Sequence, residues 1–387
     1  MNKDEELSYR DSLAWAEIDL KAIESNVTRI EDFIATETEI MAVVKANAYG
    51  HGAEAVARAA LRGGATRLAV HRVSKGIELR QTGIEAPILL LGYLPPAAAK
   101  RVASHDLTPT LTTKDGASAL AKAARELGKK VKFHVKVDTG LGRFGLLPDE
   151  VVEFFKYVDQ LDNLTLEGFY THFATADEID KSYTYYQFWL YKRILDQLEN
   201  EGFSVPIKHV ANSAATLDLP ETHLDMVRTG IAIYGLYPSQ AVSRSVSLTS
   251  TLTLKSQVAR VRTLPAGSSI SYGRTFITKE PTTVALIPIG YGDGYPRIIS
   301  NRGEVLIHGR RVPILGTICM DQFVVDISSL PDDVKEGEEV VVIGKQGDEE
   351  ITPKEVADWA ETINYEIVTQ ILPRVNRVYT RRGEETA

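Results

Sequence analysis

Short apolar runs alternate along this chain, from about residue 38 to residue 230, with longer segments of helical periodicity. Segments such as AEAVARAALRGG and GASALAKAARELG space their apolar residues as a helix does, whereas the runs between them have the length of buried strands. Strands that alternate with helices predict parallel βαβ units. The eight runs are EIMAVV (39–44), RLAV (67–70), APILLLG (86–92), DLTPTL (106–111), VKFHVKVD (131–138), LTLEGFYTHF (164–173), IKHVAN (207–212) and LDMVRTG (224–230).

Eight such strands in roughly 200 residues predict an α/β fold, a closed (β/α)8 barrel, which we assign to residues 12–240. A doubly wound open sheet is the alternative, because periodicity alone does not distinguish the two arrangements.

Beyond residue 240 the pattern changes to alternating strands separated by turn residues, which predicts a mainly antiparallel β domain over 241–387. One helix, PKEVADWAETI (353–363), interrupts it, with Thr352 as N-cap and Pro353 at the first helical position. The segment SLAWAEIDL also has the pattern of a strand. It precedes the barrel pattern, so the β domain is a candidate pairing partner for residues 1–18.

The amino-acid composition limits the classes of function that this chain can have. The 387 residues suffice for two domains, and the net charge of −8 gives no basic footprint for nucleic acid. The single cysteine, Cys319, excludes an intrachain disulfide, and we see neither a signal-peptide core nor an apolar stretch of membrane-spanning length. We therefore expect a cytoplasmic enzyme.

Polar side chains fall where the predicted barrel strands end, which is the catalytic face of such barrels. A lysine at such a position can form a Schiff base with a carbonyl, and the loops after the last two strands commonly hold a phosphate. Together these features fit pyridoxal phosphate (PLP), although other phosphorylated ligands remain open on this argument. The strand-end residues are Lys45, Lys136, Arg143, His172, Asn212, Ser213, Arg228, Gly230 and Ile231.

Eight motifs follow one another along the chain: MAVVKANAYGHG, THFATADE, ANSAAT, VRTGIAIYGL, ISYGRTF, IPIGYGDGY, GTICMDQ and TINYE. With these motifs in this order, the sequence resembles the bacterial-type alanine racemase family, PLP enzymes of fold type III. The resemblance extends over essentially the whole chain.

The resemblance implies two bases on opposite faces of the substrate, Lys45, which also holds PLP, and Tyr272. A phenol has an ordinary pKa of about 10, so Tyr272 needs neighbours that favour its ionised form, and His172 with Arg228 is the implied network. Arg228 would donate to the pyridine nitrogen, which keeps the ring unprotonated and limits transamination.

The remaining implied roles concern binding. Arg143 would bind the substrate carboxylate, and Lys136 matches a position that is often carbamylated in the family, with an ordinary lysine as the alternative. Met320 would contact the substrate, flanked by Cys319 and Asp321. The residues implied for PLP binding are Tyr49, His172, Asn212, Ser213, Arg228, Gly230, Ile231 and Tyr365.

The family pairs two subunits so that Tyr272 and Met320 of one copy serve Lys45 of the other. A homodimer with shared active sites is therefore implied. One stretch, AVHRVSKGIELR (69–80), departs from the commoner family form near His71 and Lys75. We interpret these two positions as lying away from the reaction centre.

Three other interpretations remain. A PLP decarboxylase of the same architecture usually carries an acidic residue where this chain has Arg228. A PLP-binding protein without turnover resembles the barrel alone and lacks a β domain with Tyr272. A racemase of broader specificity, acting on serine or basic amino acids, differs only in the room left for the side chain. Tyr365 and Met320 favour alanine. The family resemblance implies that the D-alanine supplies peptidoglycan, and catabolic use of D-alanine is equally compatible with the sequence.

Overall fold

The computed structural model describes residues 12–381, which form two compact units. One unit comprises residues 22–48 and 53–250, and the other comprises 12–21, 49–52 and 251–381. The sequence-predicted domains also include 1–11 and 382–387, which lie outside the described residues. Within the described part of the chain, every helix is too short or too polar to cross a membrane.

After β1 (Ala14–Asp19), which belongs to the second unit, the chain forms eight parallel strands that confirm the predicted runs. β3 (Arg67–Val70) coincides with its predicted run, whereas each of the other seven strands is shorter than its run at one or both ends. The strands are β2 (Glu39–Val43), β3 (Arg67–Val70), β4 (Ile88–Leu90), β5 (Thr108–Leu111), β6 (Val131–Lys136), β7 (Leu164–Tyr170), β8 (Ile207–His209) and β9 (Met226–Thr229).

The strand order shows a barrel rather than a doubly wound open sheet. Seven strands pair in chain order from β2 to β8, and β9 pairs with β2. At the seam between β8 and β9, the amide of Arg228 donates to the Ala211 carbonyl at 3.0 Å, and that of Asp225 donates to the Lys208 carbonyl at 3.1 Å. These bonds bring the two ends of the row together into a nearly closed barrel.

Helices follow the strands and cover the barrel with their apolar faces. On α2, for example, Val56, Ala57, Ala59 and Ala60 are fully buried, which is the burial that the helical spacing of AEAVARAALR predicts. The helices of this unit are α1 (Leu20–Phe33), whose first two residues precede the unit, α2 (Ala53–Arg62), α3 (Val73–Gln81), α4 (Ala99–Ser104), α5 (Lys114–Glu126), α6 (Val151–Asp159), α7 (Ser182–Asn200) and α8 (Ser213–Asp218).

The second unit is a mainly antiparallel sheet of ten strands, as predicted for the β domain. β1 lies inside it, antiparallel to β10 and parallel to β20, so the described part of the N-terminal segment pairs with the β domain as expected. Its strands are β10 (Leu252–Gln257), β11 (Arg260–Leu264), β14 (Thr282–Ile287), β15 (Glu304–Ile307), β16 (Arg310–Leu315), β17 (Phe323–Asp326), β18 (Glu339–Gln346), β19 (Glu349–Ile351) and β20 (Asn376–Thr380), with a separate hairpin of β12 (Ser269–Ile270) and β13 (Phe276–Ile277).

The helix predicted over 353–363 is shorter in the structure. Thr352 caps it as predicted, its side chain accepting the amide of Glu355 at 3.1 Å, but the helix α9 ends at Trp359 (Pro353–Trp359). Glu361 has a φ of 56°, a left-handed conformation that a right-handed helix does not contain. A second helix, α10 (Asn364–Thr369), follows this break.

Candidate active site

Lys45 lies just past the carboxyl end of β2, on the face of the barrel where the sequence predicts the site. Val44 donates its amide to the Ala69 carbonyl at 2.9 Å, so strand pairing continues up to the residue before the lysine. Burial, followed by the positive charge of Arg143, lowers the pKa of Lys45. A lysine in this environment carries a larger fraction of neutral, nucleophilic amine than an exposed one.

The residues after Lys45 form a left-handed turn. Four successive residues have positive φ angles: Ala46 (52°), Asn47 (56°), Ala48 (52°) and Tyr49 (51°). For residues with a side chain this conformation costs roughly 1–2 kcal/mol each, and such strain clusters at functional sites. The turn redirects the chain immediately after Lys45, so the lysine stands between the end of β2 and a tightly turned segment.

Asp138 orders the loop that carries Arg143, a role that our reading of the sequence missed. One carboxylate oxygen accepts the amides of Gly140 and Gly142 at 2.9 and 3.0 Å, and the other accepts the amide of Arg143 at 2.8 Å. The signal was present, since aspartate before a glycine-rich stretch is typical of turns that bond their own backbone.

Lys136 is the last residue of β6 and is buried. Its Nζ donates to the carbonyl of Phe144, which ties the strand end to the Arg143 loop. Burial lowers the pKa of Lys136 to about 8, aided by the charges of Arg228 and Arg143 and opposed by Asp138. A substantial fraction of this amine is therefore neutral slightly above pH 7, and the neutral amine is the form that can be carbamylated.

Arg228, on β9, is 4% exposed and held by a dense set of acceptors. Nη1 donates to the carbonyl and Nδ1 of His209, at 2.9 and 3.0 Å. Nη2 donates to the carbonyls of Thr171 and Val210, at 2.8 and 3.0 Å, and to Nδ1 of His172 at 3.2 Å. The four N–H groups on the two Nη atoms are thus committed, and Nε–H is the donor for which the described residues offer no acceptor.

His172 lies two residues beyond the end of β7. Burial and then the charges of Arg228, Arg143, Lys136 and Lys45 hold its pKa well below the usual range. The ring is therefore neutral, and because Nδ1 accepts from Arg228, Nε2 carries the proton. The same interactions show that these five side chains share one electrostatic environment at the barrel mouth.

The loops after β8 and β9 form a buried polar cradle. Asn212 caps α8 by accepting the amide of Ala215 at 3.0 Å, and Oγ of the next residue, Ser213, accepts the amides of Gly230 and Ala232 at 2.8 and 3.4 Å. The Ser213 hydroxyl proton is then left to donate outward. Ile231 is fully buried beside it and opens a short 3₁₀ turn.

These residues fit PLP in kind. The cofactor presents an aldehyde, a ring nitrogen acceptor and a phosphate, and the barrel presents a lysine of lowered pKa, an uncommitted Nε–H on Arg228 and the Ser213 cradle. All three of these protein groups belong to the barrel unit.

A second group of the expected residues lies in the β domain. They lie around a cavity of about 560 Å³, which is lined by Ser271, Tyr272, Cys319, Met320, Asp321 and Gln322. Tyr272 is 72% exposed and Met320 is 52% exposed, so both present their side chains at the surface of this unit. Sequence reasoning missed Arg374, which contacts Asp321 at 2.8 Å and Asp293 at 2.7 Å and supports this segment.

Tyr49 and Tyr365 also come together in this unit, with ring centroids 6.1 Å apart. Tyr49 is buried, and burial raises the pKa of its phenol. Gly50 beside it is confined, because a Cβ there would lie 2.1 Å from the Val368 carbonyl oxygen.

One interpretation of the sequence needs correction. His71 does not lie away from the site, because burial and the charges of Lys45, Arg72 and Arg143 lower its pKa. It follows β3, the neighbour of the strand that carries Lys45, and its ring packs against Gly92, where a Cβ would lie 3.1 Å from two ring atoms.

Family models describe both units of the chain. The alanine racemase N-terminal domain matches residues 18–238, and the alanine racemase C-terminal domain matches residues 251–379. Alanine racemase of Halothermothrix orenii is 45% identical over 368 residues, covering 95% of this chain and 97% of the relative. That of Methanococcus maripaludis is 47% identical over 367 residues, covering 94% and 98%.

Solved structures agree with these relatives. Alanine racemase from Bacillus anthracis with bound L-Ala-P superposes with a TM-score of 0.91 at 42% identity, covering 97% of each chain. Alanine racemase from Bartonella henselae with covalently bound pyridoxal phosphate gives a TM-score of 0.86 at 31% identity, covering 95% of this chain and 100% of that one. The chain therefore belongs to the alanine racemase family, a family of isomerases.

Proposed function

We propose that this protein interconverts L-alanine and D-alanine with PLP as cofactor and with Lys45 and Tyr272 as the two acid–base groups. The observation that carries the proposal is the barrel-mouth group, in which Lys45 of lowered pKa shares its environment with Arg143, His172 and Arg228. Relatives of this chain carry the same activity in their names.

PLP, when bound, supplies the electron sink that lets the Cα proton of an amino acid leave. Lys45 would hold the cofactor and accept or return the proton on one face. Its lowered pKa suits this task, because a general base works best when its pKa lies near the working pH. Arg228 would face the ring nitrogen with Nε–H and, as a donor only, would leave that nitrogen unprotonated.

Tyr272 would serve the opposite face. Racemisation requires that a proton leave one side of Cα and return on the other, so a single base on one face is insufficient. His172 would help here, because its Nε2–H can donate to an ionised phenol while Nδ1 accepts from Arg228.

Arg143 would bind the substrate carboxylate through its planar fork, held in place by the Asp138 loop. The phosphate would be bound by Tyr49, Ser213, Gly230, Ile231 and Tyr365. Asn212, which precedes Ser213, belongs to the same cofactor-binding set. Met320, beside Cys319 and Asp321, would contact the substrate. Tyr365 and Met320 would leave room for little more than a methyl group, which favours alanine over serine or basic amino acids.

The proposal includes a homodimer with shared active sites. Tyr272 and Met320 of one copy would serve Lys45 of the other, as the family resemblance implies. Their exposure and the cavity beside them are compatible with a surface that meets a second copy.

The physiological role that we propose is the cytoplasmic supply of D-alanine for peptidoglycan. Catabolic use of D-alanine is the alternative. Deleting the gene and asking whether growth then requires D-alanine separates the two roles.

Proton NMR tests the activity directly. The protein would be incubated with PLP and L-alanine in D2O, with L-serine, L-lysine and L-ornithine in parallel, and product chirality determined afterwards. We expect loss of the alanine Cα proton signal together with formation of D-alanine. Amine formation from lysine or ornithine would instead indicate a decarboxylase, and bound PLP without any exchange would indicate a binding protein.

A further inference from the structure

A row of buried polar side chains on the neighbouring strands β6, β7, β8 and β9 ends on Arg228. Nη1 of Arg228 lies 3.0 Å from Nδ1 of His209, Nε2 of His209 lies 2.8 Å from Nδ1 of His134, and Nε2 of His134 lies 3.1 Å from Oε2 of Glu167. Both histidines are fully buried, and Glu167 is 6% exposed. The proposed function uses Arg228 but assigns no task to the other three residues.

The chemistry of the donors fixes the direction of every bond in this row. A guanidinium only donates, so Nδ1 of His209 must be an acceptor. A neutral His209 then carries its proton on Nε2 and donates to Nδ1 of His134. His134 in turn carries its proton on Nε2 and donates to the Glu167 carboxylate. Each histidine is thus neutral and has a single permitted tautomer.

The electrostatics agree with this assignment. Burial and the charge of Arg228 hold the pKa of His209 well below its usual range. Burial also lowers the pKa of His134, although the hydrogen bond that His134 donates to Glu167 opposes this shift. Burial raises the pKa of Glu167, but hydrogen bonds from His134 and Lys132 and the charge of Arg67 outweigh it and lower that pKa to about 2. Glu167 therefore remains an ionised acceptor at neutral pH.

The glycine at position 168 leaves room for the His134 ring. A Cβ on Gly168 would lie 2.5 Å from Nδ1 of His134, so a larger residue on β7 would displace the ring. Two cations also contact the Glu167 carboxylate: Nη1 of Arg67 lies 3.1 Å from Oε2, and Nζ of Lys132 lies 2.9 Å from Oε1.

We propose that Glu167, acting through His134 and His209, is a positioning residue that holds Arg228 as the donor to the cofactor's ring nitrogen. The proposal rests on the proposed assignment of Arg228 to that nitrogen. Without an acceptor at 167, His134 can adopt the other tautomer, and His209 follows. A proton on Nδ1 of His209 then faces the Arg228 donor, and the guanidinium loses this anchor.

Three variants separate positioning from simple stability. Glu167→Leu removes the acceptor, Glu167→Gln keeps an acceptor oxygen without the charge, and Arg67→Met removes the ion pair while leaving the row intact. The first readout is ¹⁵N NMR of histidine-labelled protein, with and without PLP. The second is the number of racemisations completed per transamination, in which alanine leaves as pyruvate and PLP becomes pyridoxamine phosphate.

We expect His134 and His209 of the wild type to be Nε2–H tautomers. In Glu167→Leu we expect mixed tautomers and a roughly 10-fold fall in racemisations per transamination, by analogy with the loss of an outer hydrogen-bond partner at metal sites. Glu167→Gln should restore both readouts largely, and Arg67→Met should lower the melting temperature with neither readout changed.

A proton on Nδ1 of His209 in the wild type would overturn the proposal, with no variant required. So would an unchanged racemisation-to-transamination ratio in a folded Glu167→Leu protein. A wild type that fails to bind PLP or to racemise alanine would contradict the proposed function instead, while the tautomers of the protein alone would still test the row.

Discussion

Asp138 holds Arg143 by its backbone, with a carboxylate oxygen 2.8 Å from the arginine amide nitrogen. The guanidinium that we assign to the substrate carboxylate is therefore placed by a loop whose shape depends on one aspartate. Two further amides, of Gly140 and Gly142, converge on the same side chain.

Asp138→Ala should release this loop and weaken substrate binding. We expect kcat/KM for alanine to fall roughly 10- to 100-fold, mainly through KM, because small misplacements of a positioning group cost about this much. Steady-state kinetics in both directions measure the effect. Asp159→Ala, an exposed aspartate at the end of α6, is the matched control and should keep wild-type kinetics. An unchanged KM in the Asp138 variant would contradict the role assigned to Arg143.

Lys45→Ala should abolish racemisation and remove the covalently bound cofactor. The lysine is the proposed attachment point of the cofactor, just past the end of β2 and with a pKa lowered by burial. Borohydride reduction followed by mass spectrometry of the tryptic peptides locates the attachment. Lys75→Ala, on the exposed face of α3, should retain full labelling. Racemisation retained in the Lys45 variant would refute the assignment.

Tyr272→Phe should separate proton exchange from racemisation. Racemisation must fall equally in both directions, since the two enantiomers have equal free energy. Exchange of the Cα proton with D2O should nevertheless persist for the one enantiomer whose proton faces Lys45. Measuring deuterium incorporation into L- and D-alanine separately tests this, and equal loss of exchange from both enantiomers would count against two bases on opposite faces.

Lys136 should become carbamylated more readily as the pH rises. Its pKa of about 8 means that the cationic form dominates at pH 7 and the neutral amine, which alone reacts with carbon dioxide, dominates at pH 9. Incubation with ¹³C-bicarbonate should give a carbamate carbon signal that increases over this interval and is missing from Lys136→Ala. A signal that is equally strong in that variant would assign the carbamate to another amine.

The sequence predicted the fold well because both units repeat a simple pattern. Buried parallel strands such as 67–70 show as uninterrupted apolar runs, and the predicted run coincides with the strand. Boundaries were less predictable where a run continues past the sheet, as at 86–92, where only Ile88–Leu90 pair. The early end of α9 at Trp359 depends on the backbone conformation of Glu361, which the helical pattern does not reveal.

The site was predictable to the extent that its residues follow strand ends. Sequence reasoning missed residues that position other side chains, because their roles depend on contacts between residues far apart in the sequence. Glu167 looks like an ordinary strand residue in LTLEGFY, and only the structure pairs it with His134. His71 was misjudged for a related reason, since its closeness to Lys45 arises from the pairing of β2 with β3.

The central claim is that Lys45 and Tyr272 act together across two copies of the chain, and a mixing experiment tests it most directly. Lys45→Ala and Tyr272→Phe proteins, each inactive in racemisation alone, would be denatured together in equal amounts, refolded with PLP and assayed. In a two-fold dimer with shared sites, half the dimers are mixed and each has one intact site, so about a quarter of wild-type activity should return. Each protein refolded alone serves as the control. Absence of any recovery, although light scattering and mixed affinity tags show that mixed dimers form, would contradict the claim.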